Sequence, residues 1–88
     1  MNFEYGSNKS VSNKQKHGVD FEEAKTLWLN DNVVVPAITR GEARYMIIGK
    51  IGMRIYSCIF ALREDKIRVI SCRKARSKEK KVYHEKVT

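Results

Sequence analysis

The stretch IRVISCRKAR, residues 67 to 76, sets Arg68 inside an apolar, β-branched run and places Arg73, Lys74 and Arg76 where that run hands over to a loop. Guanidinium is a planar fork that can hold two oxygens of one phosphate, and it stays charged throughout the physiological pH range. Cations of this type at strand ends point to work on or against a phosphate. Arg63 closes the preceding apolar run, and Arg44 opens an earlier one two residues after Glu42. Histidine is the side-chain type suited to proton transfer near neutral pH, so His17 is a candidate base, although an imidazole before a glycine turn equally suits the negative end of a helix dipole. Glu42 is a second candidate base, weakened by the arginine beside it, so that orienting Arg44 is its expected part.

The elements that must position these groups are legible from periodicity and punctuation. NFEY reads as a short strand, and SNKSVSNKQKHG as a polar helix closed by Gly18, a residue suited to the left-handed position after a helix end. In VDFEEAKTLWLND, Asp20 and Glu23 have capping-box spacing, and Phe21, Ala24, Leu27 and Trp28 form one apolar stripe, as a second helix requires. From Val33 the pattern becomes extended. VVVPAIT is interrupted by Pro36, which suits an edge or a bulge; ARYMIIGKI and RIYSCIFAL form a hairpin; KIRVISCRK returns after a tight connection. SKEKKVYHEK closes the chain as a helix with Glu79 and Tyr83 one turn apart on the same side. The expected fold is α+β: a small antiparallel sheet of four to five strands, two N-terminal helices and one C-terminal helix, with the helices on one sheet face.

Strict alternation along the last strand puts Arg73 with Ile67, Val69 and Ser71, and Arg68 on the opposite face with Ile70, Cys72 and Lys74, unless a bulge intervenes. Arg63 belongs with Ile59 and Ala61. The face left uncovered by helices is then the expected place for a hollow lined by arginine.

With 88 residues the chain has material for one modest core, so a single domain over residues 1–88 is expected. A 42% share of hydrophobic residues with a single proline excludes a disordered or fibrous chain. The net charge of +8 calls for a polyanionic partner, whether nucleic acid, an anionic membrane or an acidic protein. Residues 63–86 hold ten Lys/Arg against four acids, so six of the eight net charges lie in the last third. No apolar run approaches the roughly 20 residues of a spanning helix, and MNFEYGSNKS has no signal-like apolar core, so a cytoplasmic protein without membrane contact is expected. Cys58 and Cys72 sit in apolar runs as small hydrophobes, with no disulfide and no metal set expected.

A family resemblance follows from ordered blocks. Phe3, Glu4, Tyr5, Lys9, Asn13, Lys16, His17, Gly18, Val19, Phe21, Glu22, Glu23 and Ala24 are spaced as in the N-terminal signature of the BrnT toxins. Gly41 to Tyr45 and Arg68 to Ala75 resemble that family's second and third blocks, and Glu79 and Tyr83 its last helix. The chain departs from the pattern at Tyr5 and Gly6, where the family often has tryptophan and aspartate, so its first helix lacks the usual acidic cap; residues 30–40 also match poorly. The resemblance implies a RelE-like fold and a ribonuclease toxin of a type II toxin–antitoxin pair, which inhibits translation and growth. It further implies neutralisation by a cognate BrnA-like antitoxin, whose DNA-binding part carries the pair to its operator.

On that resemblance the expected reaction is metal-independent and cofactor-free: the ribose 2′-hydroxyl attacks the adjacent phosphate, and cations stabilise the phosphorane. Arg63 and Arg73 are the first candidates for that task, then Arg44 with Glu42, and His17 is the histidine candidate for base. Lys16, Arg68, Lys74, Arg76 and Lys78 are expected along the RNA backbone, and Tyr83 either stacks on a base or docks the last helix. Trp28 and the edge segment VVVPAI are candidate antitoxin contacts. Two other readings fit the same residues: a non-catalytic nucleic-acid-binding module, and a degenerate toxin that only binds its antitoxin.

Overall fold

In the computed structural model, which describes residues 1–87, the elements run β1 (Asn2–Glu4), α1 (Ser7–His17), α2 (Phe21–Ala24), α3 (Thr26–Leu29), β2 (Asn32–Pro36), β3 (Arg44–Ile51), β4 (Arg54–Arg63), β5 (Lys66–Lys74) and α4 (Ser77–Val87). The strands form one sheet in the order β1-β5-β4-β3-β2. From β2 to β5 it is the expected antiparallel meander. β1 adds to β5 in parallel, with Glu4 opposite Arg68, so the sheet as a whole is mixed rather than antiparallel throughout. Pro36 ends β2 on the sheet edge, where a missing N–H costs no ladder bond.

The local signals act as their chemistry dictates. Gly18 takes φ 79° after α1 and its N–H donates to the Lys14 carbonyl, closing the helix. Gly6 caps the start of α1 with no side-chain bond, as the missing acid at this position implies. The Asp20–Glu23 capping box forms in both directions, but the helix it starts breaks near Lys25 into two short pieces, α2 and α3.

Helices cover both sheet faces, not one. On the first face Phe21, Ala24 and Leu27 pack with Ile47, Cys58, Phe60, Val69 and Cys72, and Trp28 meets Phe3 and Phe60 edge-on at 5.1 and 5.2 Å. Burying a side chain such as Phe21 or Leu27 contributes roughly 1.5–3 kcal/mol each. On the second face α4 lays Tyr83, Val82 and Val87 over Val33, Ile48 and Ile55. Both faces of β3 and β4 are apolar near the β3–β4 turn, which is why a second cover is required there. Cys58 and Cys72 are free, buried and directly opposite each other; the neighbouring Cys72 thiol and burial push the Cys58 thiol up, which keeps it protonated and inert. Among the described residues no helix is long and apolar enough to cross a membrane.

Asn13 ties α1 to the sheet just past the point where β1 ends. Its Oδ1 accepts from the Cys72 N–H at 3.1 Å, and its Nδ2 donates to the carbonyls of Cys72 at 2.7 Å and Val19 at 2.8 Å. The amide thus does for β5 what a neighbouring strand would do. Asn13→Ala leaves these buried groups unpaired and is expected to lower stability by about 2 kcal/mol, read as a lower urea midpoint at unchanged slope.

Candidate functional site

β5 carries one residue more than β4 can pair: Phe60 stands opposite Val69 and Ile59 opposite Ser71, with Ile70 left over. This bulge resets the alternation. Arg68 opposite Ala61 and Arg73 opposite Ser57 come to lie on one face, together with Arg63 of β4 and Arg44 of β3, which is also opposite Ala61. Unbroken alternation would split Arg68 from Arg73. The extra residue unites them and returns Cys72 to the first face, with Ile67 and Val69.

The second face, where α4 leaves it open, holds a hollow of about 540 Å³ whose lining includes Arg40, Arg44, Arg73, Arg76 and Glu79, with Ala37, Ile38, Met46 and Ile59 as its apolar surface. Glu79, in the first turn of α4, organises one side. Its carboxylate accepts from Arg73 Nη1 and Nη2 at 2.8 and 2.9 Å, from Ser57 Oγ at 2.7 Å and from the Arg76 backbone N–H at 2.9 Å. The Arg73 guanidinium, helped by the Arg76 N–H and the Ser57 hydroxyl and opposed by partial burial, pulls the Glu79 carboxyl down to about 2. The same pairing raises Arg73 above its ordinary value.

Glu42 pairs with Arg63, not with Arg44: Arg63 Nε and Nη2 donate to its two oxygens at 3.2 and 3.1 Å. The register explains this, because Arg44 is opposite Ala61, and two residues further along both strands Glu42 meets Arg63. Arg63 first, then the fields of Arg44 and Arg68, holds the Glu42 carboxyl below the usual carboxylate range, which makes it a poor base and a good support for Arg63. Arg68 is bound to Glu4, its cross-strand partner, at 2.9 Å.

Arg44 differs from these. Its Nε is buried and has no hydrogen-bond partner, alone in this among the side-chain nitrogens and oxygens of the described residues. A buried donor left unpaired costs about 1–3 kcal/mol, a cost that an incoming anionic oxygen would remove.

Arg40, not among the expected site residues, also reaches the hollow. Gly41, at φ 78°, turns the chain so that Arg40 bridges to Glu42 and lines the hollow beside Arg44. The signal was present in Arg40-Gly41-Glu42-Ala43-Arg44, two arginines brought together by a glycine turn. His17 and Lys16 lie in a different cavity with Gly18, Arg54, Tyr56, Arg73 and Lys74; Arg73 borders both spaces, whereas Arg44, Arg63 and Glu42 do not reach this one. Tyr83 is 5% exposed and docks α4, the structural one of its two expected roles. Lys74, Arg76 and Lys78 are exposed, with Arg76 on the hollow. Among the described residues no three His, Cys, Asp or Glu side chains converge as metal ligands.

A comparison with curated proteins gave no match. Among solved structures, the chain is similar to the Brucella abortus ribonuclease toxin, BrnT, known from a crystal structure at 1.1 Å: identity is 31%, the TM-score is 0.70, and the match covers 88% of this chain and 99% of that one. Residues 5–79 match the family described as the ribonuclease toxin, BrnT, of type II toxin-antitoxin systems. With both the meander and the greater part of the sequence in agreement, this chain belongs to the BrnT family of ribonuclease toxins.

Proposed function

We propose that the chain is an endoribonuclease that cuts RNA without a metal ion, in the arginine-lined hollow of the second sheet face. The ribose 2′-hydroxyl loses its proton to water as its oxygen attacks the adjacent phosphorus, the bond to the 5′-oxygen of the next nucleotide breaks and that oxygen takes a proton from water, and a 2′,3′-cyclic phosphate remains. Arg44 and Arg73 hold the phosphorane oxygens as negative charge develops on them, with Arg40 and Arg76 at the mouth and Arg63 kept in place by Glu42. The observation that carries this reading is the unpartnered, buried Nε of Arg44 in a hollow where Arg40, Arg73 and Arg76 outnumber the one carboxylate, Glu79. Cleavage in EDTA of an end-labelled RNA, yielding cyclic-phosphate ends and blocked by 2′-deoxy substitution at the cut, is the expected result. Cleavage that requires added Mg²⁺ and survives the 2′-deoxy substitution overturns the mechanism.

In the cell this activity is expected to stop translation and growth when the chain is expressed alone, in the cytoplasm, and to be relieved by a cognate antitoxin that carries the DNA-binding part. β2 supports one way of docking such a partner, since it is a sheet edge with Val34 exposed and Ile38 exposed just beyond it.

One observation favours a second reading. Arg63, Arg68 and Arg73 are each already neutralised by a carboxylate. A chain whose arginines stay locked in this way would bind RNA or antitoxin without cutting, and salt-dependent binding with no cleavage products would select that reading. Glu42→Gln separates support from chemistry. Its ion pair with Arg63 is exposed and worth under about 1 kcal/mol. Single-turnover cleavage is therefore expected to fall by less than about tenfold.

A further inference from the structure

We propose that a second cationic surface, at the β3–β4 hairpin end of the sheet, grips the phosphate backbone of single-stranded RNA that extends beyond the hollow. The inference rests on RNA being the substrate, as proposed above, and assigns a site to residues that the cleavage chemistry does not use. Two cavities of about 550 and 410 Å³ adjoin there and share Arg54 and Lys74. Lys16, near the end of α1, lines the first, and Lys80 of α4 lines the second. No Asp or Glu lines either one.

Among the described residues the ion pairs take up Lys14, Lys25, Arg63, Arg68 and Arg73, and none includes Lys16, Arg54, Lys74 or Lys80. Four unpaired cations gathered in two joined concavities repel one another, and a polyanion relieves that repulsion. Arg73 lines the first cavity as well as the hollow. The band and the hollow are therefore continuous around the end of β5, a layout that fits a chain of phosphates better than a single small anion. Neutralising each phosphate of a single strand releases counterions and adds about 0.7 to the slope of log affinity against log salt.

The test uses full-length protein and a fluorescent 12-nucleotide 2′-O-methyl RNA, which cannot be cut by 2′-hydroxyl attack, with anisotropy titrations at several salt concentrations. R54Q/K80Q, both positions being exposed, is expected to weaken binding at least tenfold at low salt and to lower the salt slope by about 1.4. A trinucleotide of the same chemistry, too short to leave the hollow, should bind both proteins alike. Lys9→Gln, at a position that lines neither cavity, should leave the slope unchanged. An unchanged slope in R54Q/K80Q overturns the proposal, and so does an equal loss for the trinucleotide. Loss of antitoxin binding with RNA binding intact assigns the band to an acidic protein instead, and also overturns it. Because the readout needs no cleavage, a slope change in R54Q/K80Q beside a wild-type protein that binds RNA but fails to cut it refutes the nuclease reading and leaves the band standing.

Discussion

Arg44→Ala is expected to slow RNA cleavage by a factor of about 10²–10³ while leaving the fold intact. The factor is that of removing one preorganised donor from a developing oxyanion, about 3–4 kcal/mol of barrier. The intact fold follows from the structure: the Arg44 Nε has no partner to lose, and the side chain belongs to neither of the two buried core clusters. Truncation therefore removes an unsatisfied donor along with some aliphatic packing, and the two effects oppose each other. Arg44→Lys should recover little activity, because an ammonium offers a point charge in place of a fork. Single-turnover rates with thermal melts on the same samples decide the matter. A rate within threefold of wild type at unchanged melting temperature removes Arg44 from the chemistry.

Glu79→Ala is expected to be the most destabilising single change at the site, by about 3 kcal/mol. It strips the partner from the half-buried Arg73 and leaves the Arg76 N–H and the hydroxyl of Ser57, itself 1% exposed, without their acceptor. The accompanying pH dependence has a definite sign. The carboxyl is held at about 2 in the folded chain against 4.5 as its ordinary value, so its contribution is fully present above 4.5 and is lost as pH falls through 2. That contribution is on the order of 3 kcal/mol. Urea midpoints from pH 7 down to 2.5 should fall in wild type and lose most of that slope in Glu79→Gln, since an amide does not titrate. An equally steep fall in both proteins assigns the acid sensitivity to other carboxylates. Cleavage should drop in both variants as well, because Arg73 is then free to leave the hollow.

Features encoded by neighbouring residues were legible in the sequence. Gly18 ends α1, Asp20 and Glu23 close a capping box, the β3–β4 and β4–β5 connections turn where glycine and charge predict, and both cysteines are core. What escaped depends on distant partners. The parallel pairing of β1 with β5 joins residues 64 apart in the chain, as between Asn2 and Lys66, and no local pattern announces it. The bulge at Ile70 has no glycine to mark it, so period-2 reading separated two arginines that the fold unites. Proximity in sequence pairs Glu42 with Arg44, whereas the ladder gives it Arg63. The apolar residues of α4 do not say which surface will receive them, and they land on the face opposite α2 and α3. The presence of arginine around a hollow on the sheet is therefore legible, and the arginine whose Nε is buried without a partner is not.

The surplus residue at Ile70 makes this part of β5 unusually sensitive to length. Losing it would transpose inside and outside for every position downstream in the strand, turning the Cys72 thiol out to water and driving the Arg73 charge in beneath the first helix, while adding one would do the same. Evolution and engineering can trade side chains here or lengthen the Glu64–Asp65 reversal, but they cannot shift the frame of this strand without dismantling the hollow.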